Sequence, residues 1–274
     1  MATVNLHTHS LRCKHAKGNP MDYAKAALEQ GLHVLGMSDH TPFPDDRLLR
    51  TRMSIAELDD YIHEVRDAQT VFPQLRILLA LECEYIPEFD EFYTALREEK
   101  GMDYLIGGVH TFFQDGEDQH FWGLVLMNQE GFRSYTDEYI RMLESGHFLF
   151  GAHPDLYGLA IDGWSDSAEE CAERICSTAE RLNMPLEINV SGWAKWEREA
   201  VRRGFVSVKE AQAAGESFPR RMPLDGFWRV AARHGIKAVI NSDAHDPNML
   251  TKYLNLGYDF AQSHGIEVIY PFGE

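Results

Sequence analysis

Val4-Asn5-Leu6-His7-Thr8-His9 is a short apolar run that passes directly into two histidines spaced two apart. On a β-strand that spacing sends both side chains to one face, so the two imidazoles enter one space at a strand end and suggest a metal. An H-x-H pair alone occurs often by chance, and the rest of the chain decides its meaning. Working outward, β-branched-rich apolar runs recur at Val34–Ser38, Ile77–Glu82, Tyr104–Val109, Phe148–Ala152, Leu186–Val190 and Ala238–Asn241, each read as a strand. Helical periodicity fills the gaps at Pro20–Gln30, Ile55–Phe72, Gly131–Ser145, Ser167–Arg181 and Leu224–His234. This alternation predicts a parallel sheet with crossover helices, and about seven repeats predict its closure into a barrel.

Local signals support the segmentation. Asn19 precedes Pro20, and Ser54 with Glu57 and Ser167 with Glu170 follow the capping-box spacing. Gly31, Gly146 and Gly235 stand where helices should end. No linker of Ser, Gly and Pro divides the sequence, so residues 1–274 are expected to form one domain, a length that suits an α/β barrel. The segment Trp193–Pro223, rich in Arg, Lys and Ala, is expected to be a helical excursion over the barrel mouth.

Composition narrows the function classes. The formal net charge of -17 argues against a nucleic-acid backbone as the main partner, which requires a broad basic surface. No stretch approaches the roughly 20 apolar residues of a membrane span, and the N-terminal residues do not resemble a signal peptide, so the chain reads as cytoplasmic. The four cysteines, Cys13, Cys83, Cys171 and Cys176, are scattered and read as free thiols.

Histidines and acids fall on the strand ends. Strand one ends in His7 and His9, with His15 in the loop beyond. The second ends in Asp39-His40, the third in Glu82, the fourth in His110, the fifth in His153, and the last in Asp243 followed by His245. In a parallel barrel all strand C-termini open on one face, so these residues converge despite their separation in sequence. His33, His63, His120, His147, His234 and His264 lie elsewhere and read as surface or packing residues. Seven imidazoles with Glu82 and Asp243 are too many ligands for one tetrahedral ion and enough for two or three.

His7-Thr8-His9, His15, Ser38-Asp39-His40, Leu81-Glu82, Val109-His110, Gly151-Ala152-His153 and Ser242-Asp243-Ala244-His245 together resemble the successive motifs of the polymerase-and-histidinol-phosphatase (PHP) family. Cys13-Lys14-His15-Ala16, Asp39-His40-Thr41-Pro42-Phe43-Pro44 and Glu82-Cys83-Glu84-Tyr85-Ile86-Pro87 are most similar to its histidinol-phosphate phosphatase branch. The resemblance implies a single-domain α/β fold, a distorted, TIM-like (β/α)7 barrel, with three divalent ions of zinc, iron or manganese. One ion would be held by His7, His9, Glu82 and Asp243. A second would be held by Glu82, His110 and His153, with Glu82 bridging, and a third by His15, His40 and His245. Asp243, Glu82 and His245 are the expected catalytic residues, and Glu84 is the competitor to Glu82. The implied activity is hydrolysis of a small phosphate ester by a hydroxide that bridges two ions, with L-histidinol phosphate as the expected substrate.

The match departs from the branch where substrate phosphate is bound. His153-Pro154-Asp155-Leu156-Tyr157-Gly158 carries no base, and in Gly192-Trp193-Ala194-Lys195 an Ala stands where the branch leads one to expect Arg. Lys195, Arg198, Arg221 and Arg52 are the candidate replacements. The alternatives are a related phosphoesterase acting on a nucleotide or sugar phosphate, and a metal-binding module without catalysis.

Overall fold

A computed structural model describes residues 3–121, 125–216, 218 and 220–272. The longest strand, β3 (Arg76–Cys83), pairs in parallel with β2 (Val34–Met37) on one side and β4 (Tyr104–Gly107) on the other, and β1 (Val4–Asn5) pairs with β2. β5 (Thr111–Gln114) and β6 (Glu117–His120) form an antiparallel hairpin that leaves the barrel directly after His110. β7 (Leu186–Asn189) and β8 (Ala238–Asn241) form a second parallel pair.

Residues 149–152 join the two parallel groups. Leu149 N donates to Leu105 O and Ala152 N to Gly107 O, while Glu187 N donates to Gly151 O. The predicted fifth strand is therefore present as a ladder position, with isolated bridges at Gly151 in place of a regular strand. On the far side Thr8 bridges Ala244 in parallel, and His9 N donates to Ala244 O at 2.9 Å. Seven parallel positions thus close on themselves as the expected distorted α/β barrel.

The helices surround this ring. Asn19 caps α1 (Pro20–Glu29) through a reciprocal bond pair with Asp22, and Ser54 N donates to Glu57 ahead of α2 (Leu58–Val71). α3 (Asp90–Glu98), α4 (Gln129–Glu144) and α5 (Asp166–Leu182) follow. The cap of α5 is Ser165, accepting from Ala168 N, two residues before the expected Ser167. The predicted excursion consists of α6 (Ser191–Arg202) and α7 (Val208–Ala213), with a small core of Ala200, Val208, Ala211 and Phe218. Ser217 and Pro219, which belong to this expected segment, lie outside the described residues. α8 (Asp225–Arg233) and α9 (Leu254–His264) complete the layer. All four cysteines are free and buried. Among the described residues no helix is long and apolar enough to cross a membrane.

Two-residue alternation divides the core. Ile77, Leu79, Leu81 and Cys83 pack outward against the helices, whereas Leu78 and Ala80 point inward with Val4, Leu6, Val34, Tyr104, Ile106, Phe150 and Val239. Ile269, Tyr270 and Phe272 pack against this inner cluster near the lower end. The inner space is tight at Gly36, where a Cβ would stand 1.8 Å from Tyr104 Oη and 2.9 Å from Leu6 Cα. That hydroxyl donates to Leu6 O at 2.6 Å and cannot withdraw without losing the bond. Gly36→Ala is therefore expected to destabilise the barrel by about 1–3 kcal/mol, seen as a lower melting temperature in thermal denaturation; an unchanged value would contradict this packing.

Candidate metal centre

The inward register that fills the lower barrel with apolar side chains becomes polar at the top. After Leu78 and Ala80, β3 presents Glu82 and then Glu84. β4 continues from Tyr104 and Ile106 through Gly108 to His110, β2 from Val34 through Ser38 to His40, and β8 from Val239 through Asn241 to Asp243. Two positions break the alternation, His7 after the inward Leu6 and His153 after the inward Phe150. His153 (φ 30°) and Asp243 (φ 50°) both adopt the left-handed backbone that such residues rarely take, a local strain associated with functional sites. Gly108 keeps the space open, since a Cβ there would lie 3.0 Å from both Glu82 Oε1 and His153 Cε1.

Glu82 is the centre of the cluster. Its carboxylate, 1% exposed, lies 2.8 Å from His153 Nε2, 2.9 Å from His40 Nδ1, 3.3 Å from His110 Nε2, 3.4 Å from His7 Nε2 and 3.5 Å from His9 Nε2. Asp243 Oδ1 is 3.1 Å from His9 Nε2 and 3.8 Å from His7 Nε2. His245 Nε2 is 3.0 Å from His15 Nε2, and the His245 ring stacks on His9 at 4.2 Å. All nine expected ligands are therefore brought together. Their donor atoms form overlapping triads, among them His7 with His9 and Asp243, His7 with Glu82 and His153, and His9 with His40 and His245. His9 faces both the first and the third group, whereas the resemblance placed it only in the first.

The charges show what this arrangement requires. Burial alone would lower the His9 imidazole, yet Asp243 and Asp39 raise it to about 9; Glu82 and Glu84 likewise outweigh burial at His110 and raise it to about 10. His40 goes the other way, to about 4, because burial and the neighbouring imidazoles outweigh Glu82. Glu82 and Asp243, which burial would raise, are instead held far below the ordinary carboxylate range by the surrounding imidazoles. The carboxylates thus draw positive charge into a dry space. His9 Nδ1 and His153 Nδ1 are also buried without a hydrogen-bond partner, and His40 Nδ1 and Glu82 Oε2, though 2.9 Å apart, are not aligned for a hydrogen bond. Imidazole nitrogens and carboxylate oxygens with unmet bonding capacity suit divalent transition ions, so the residues fit a metal centre.

A second layer orients the first. Glu187, wholly buried on β7, lies 2.8 Å from His7 Nδ1 and accepts from His153 N, Asn189 Nδ2 and Asn241 Nδ2 at 2.9–3.0 Å. Carboxylates behind metal-binding histidines fix the tautomer and ring direction. Sequence reasoning passed over Glu187, although an acid at the inward register between Leu186 and Ile188 was a usable signal. Asp39 accepts from Ser10 N, Ser10 Oγ and His40 N and sits 3.7 Å from His9 Nδ1, so it braces the first two loops. Glu84 is likewise in the second layer, 2.6 Å from His110 Nδ1 and 2.8 Å from Arg52.

The four basic candidates separate clearly. Lys195, on the first turns of α6, donates to Ser191 Oγ at 2.6 Å, and that oxygen is 3.2 Å from Asp243 Oδ2, so Lys195 borders the cluster. Burial and Arg198 lower its ammonium pKa against the pull of Asp243. Arg198 stands exposed, its Nε directed at Ala194 O. Arg221 is exposed with its guanidinium donating to Ile161 O. Arg52 is buried, its donors turned onto Glu84 and Thr41 O.

Barrel and donor set together define a protein with a histidine- and carboxylate-rich metal-binding cluster at the open end of an α/β barrel. The chain belongs to the PHP family: the PHP domain model matches residues 5–191. It is 29% identical over 261 residues to a probable histidinol-phosphatase of Deinococcus radiodurans, covering 94% of this chain and 89% of the relative. A probable histidinol-phosphatase of Schizosaccharomyces pombe is 23% identical over 278 residues, covering 95% and 85%. The fold is similar to the histidinol phosphate phosphatase of Lactococcus lactis subsp. lactis, solved with zinc, L-histidinol and phosphate, with a TM-score of 0.71 at 15% identity over 97% of this chain and 95% of that one.

One acid on α4 gives a pH test. Glu138 on α4 is half-buried near the β5–β6 hairpin, where burial and then Asp118 push its carboxyl up to about 7 from 4.5. Between those pH values the unfolded chain ionises Glu138 before the folded one does, so stability falls as pH rises through this window. Glu138→Gln should therefore raise thermal stability above pH 7 by about 1 kcal/mol, allowing for solvent screening, with the gain vanishing below pH 4.5; a gain independent of pH would contradict the assignment.

Proposed function

We propose that the protein is a metal-dependent phosphomonoesterase that hydrolyses L-histidinol phosphate to L-histidinol and phosphate. The observation that carries this reading is the convergence of all nine expected ligands in one cluster centred on Glu82, in a family whose named relatives along nearly the whole chain are probable histidinol-phosphatases. Three divalent ions, of zinc, iron or manganese, are assigned: one to His7, His9, Glu82 and Asp243, one to Glu82, His110 and His153, and one to His15, His40 and His245. When bound, such ions lower the pKa of water and neutralise phosphate oxygens.

The remaining roles belong to the chain. Glu82 and Asp243, held ionised, supply the negative charge that retains the cations. Glu187 and Asp39 keep His7 and His9 in place from behind. Lys195, beside Ser191 and Asp243, is placed to attract the substrate phosphate and to offset charge that persists through phosphoryl transfer. Asp39 is an unsuitable proton donor to the leaving group, because its oxygens are engaged by Ser10 and His40 N and it is held ionised.

A second reading keeps the centre and changes the ester. It is favoured by Ala194 at the expected arginine position and by the guanidinium of Arg221 turned onto Ile161 O. Steady-state kinetics on a panel of phosphate esters separates the two. L-histidinol phosphate should exceed p-nitrophenyl phosphate in kcat/KM by roughly 100-fold or more; equal values would remove the specific assignment. His9→Ala and Asp243→Asn should each lower kcat by roughly 100-fold or more with the circular dichroism spectrum retained, and full activity in either would refute the ligand roles.

A further inference from the structure

Arg52, Glu84 and His110 form a chain of contacts that neither substrate binding nor packing alone accounts for. Glu84 follows Glu82 by two residues and faces the same interior, yet it approaches the far side of the His110 ring. Its Oε1 is 2.6 Å from His110 Nδ1, while His110 Nε2 faces Glu82 Oε1 at 3.3 Å. An imidazole that donates Nδ1–H to a carboxylate must present its Nε2 lone pair, so Glu84 selects which nitrogen points at the cluster.

Glu84 is itself fixed from behind. One terminal nitrogen of Arg52 reaches both carboxylate oxygens, at 3.0 and 2.8 Å. The other donates to Thr41 O at 2.9 Å, and the guanidinium lies 4.4 Å from the Phe43 ring centroid. Thr41 in turn donates to Glu82 O through both its N and its Oγ1, at 2.8 Å each. The circuit therefore returns to the backbone of the central carboxylate. Only 2% of the Arg52 surface is exposed and both terminal nitrogens are engaged within the protein, while Nε is buried without a partner.

We propose that Arg52 and Glu84 are a positioning pair that sets His110 for metal binding, and that Arg52 does not contact substrate. This rests on the reading of His110 as a metal ligand. Arg52→Met, Glu84→Gln and His110→Ala, each checked for fold by circular dichroism, are compared with the wild type by titrating bound zinc against a chelator and by steady-state kinetics with L-histidinol phosphate.

The ion weakened in His110→Ala should also bind about 10–100-fold more weakly in Arg52→Met and Glu84→Gln. The remaining zinc should be retained, kcat should fall, and KM and inhibition by inorganic phosphate should change less than about twofold. Unchanged zinc affinity in Arg52→Met, with a raised KM and weaker phosphate inhibition, would overturn the proposal and return Arg52 to substrate binding. Glu84→Gln, nearly the same size and uncharged, decides the matter if Arg52→Met does not fold: wild-type zinc affinity there overturns the pair. If instead His110→Ala binds zinc as the wild type does, the ligand reading of His110 is what fails.

Discussion

A carboxylate at 1% exposure, reached by five imidazoles within 3.5 Å, is the constraint on which the rest of this structure depends. Burying one ionised carboxylate costs several kcal/mol unless positive charge accompanies it. The barrel meets that requirement by bringing imidazoles to Glu82 from β1, β2, β4 and the 149–152 ladder. It then places a second acid, Asp243, where β8 closes onto β1. β3, the longest strand, carries Glu82 at the inward register just above the apolar plug of Leu78 and Ala80, so one alternating strand supplies both core and chemistry.

Behind the ligands stands a layer of carboxylates with a single task each. Glu187 faces His7, Asp39 faces His9, and Glu84 faces His110. None of these acids lies free in solvent, and each is satisfied by neighbours of fixed geometry: asparagines for Glu187, Ser10 for Asp39, Arg52 for Glu84. The arrangement accounts for part of the acidic excess of the chain without invoking a cationic macromolecular partner. It also separates two groups in space, since the histidine and carboxylate cluster sits on strand ends while Lys195, which borders it, comes from α6.

Much of this was legible because period two and strand ends are local properties. The inward register of β3, β4 and β8 leads by simple counting from Ala80 to Glu82, from Ile106 to His110 and from Val239 to Asp243. Counting in twos does not reach His7 or His153, because each follows an inward apolar residue by an odd step, and at His153 the backbone turns left-handed. The β5–β6 hairpin was missed because Glu117-Asp118-Gln119-His120 carries no strand-like pattern, and its pairing comes from Thr111–Gln114 opposite it. The directions of the arginine side chains were not legible for a different reason. Proximity in sequence to a top-face loop says nothing about which acid or carbonyl captures a long side chain, and Glu84 captures Arg52. Asp243 and His245 were legible in Ser242-Asp243-Ala244-His245 although the family match ends at residue 191, and the closure of Thr8 on Ala244 brings them beside β1.

The central claim is that Glu82 is shared by more than one cation, and elemental analysis of metal bound per chain tests it most directly. Wild-type protein from metal-replete growth should carry at least two equivalents, about three if every group is filled, and Glu82→Gln should lose more than one of them while remaining folded. A wild-type chain with less than one equivalent, or a Glu82→Gln variant with the wild-type content, would contradict the account.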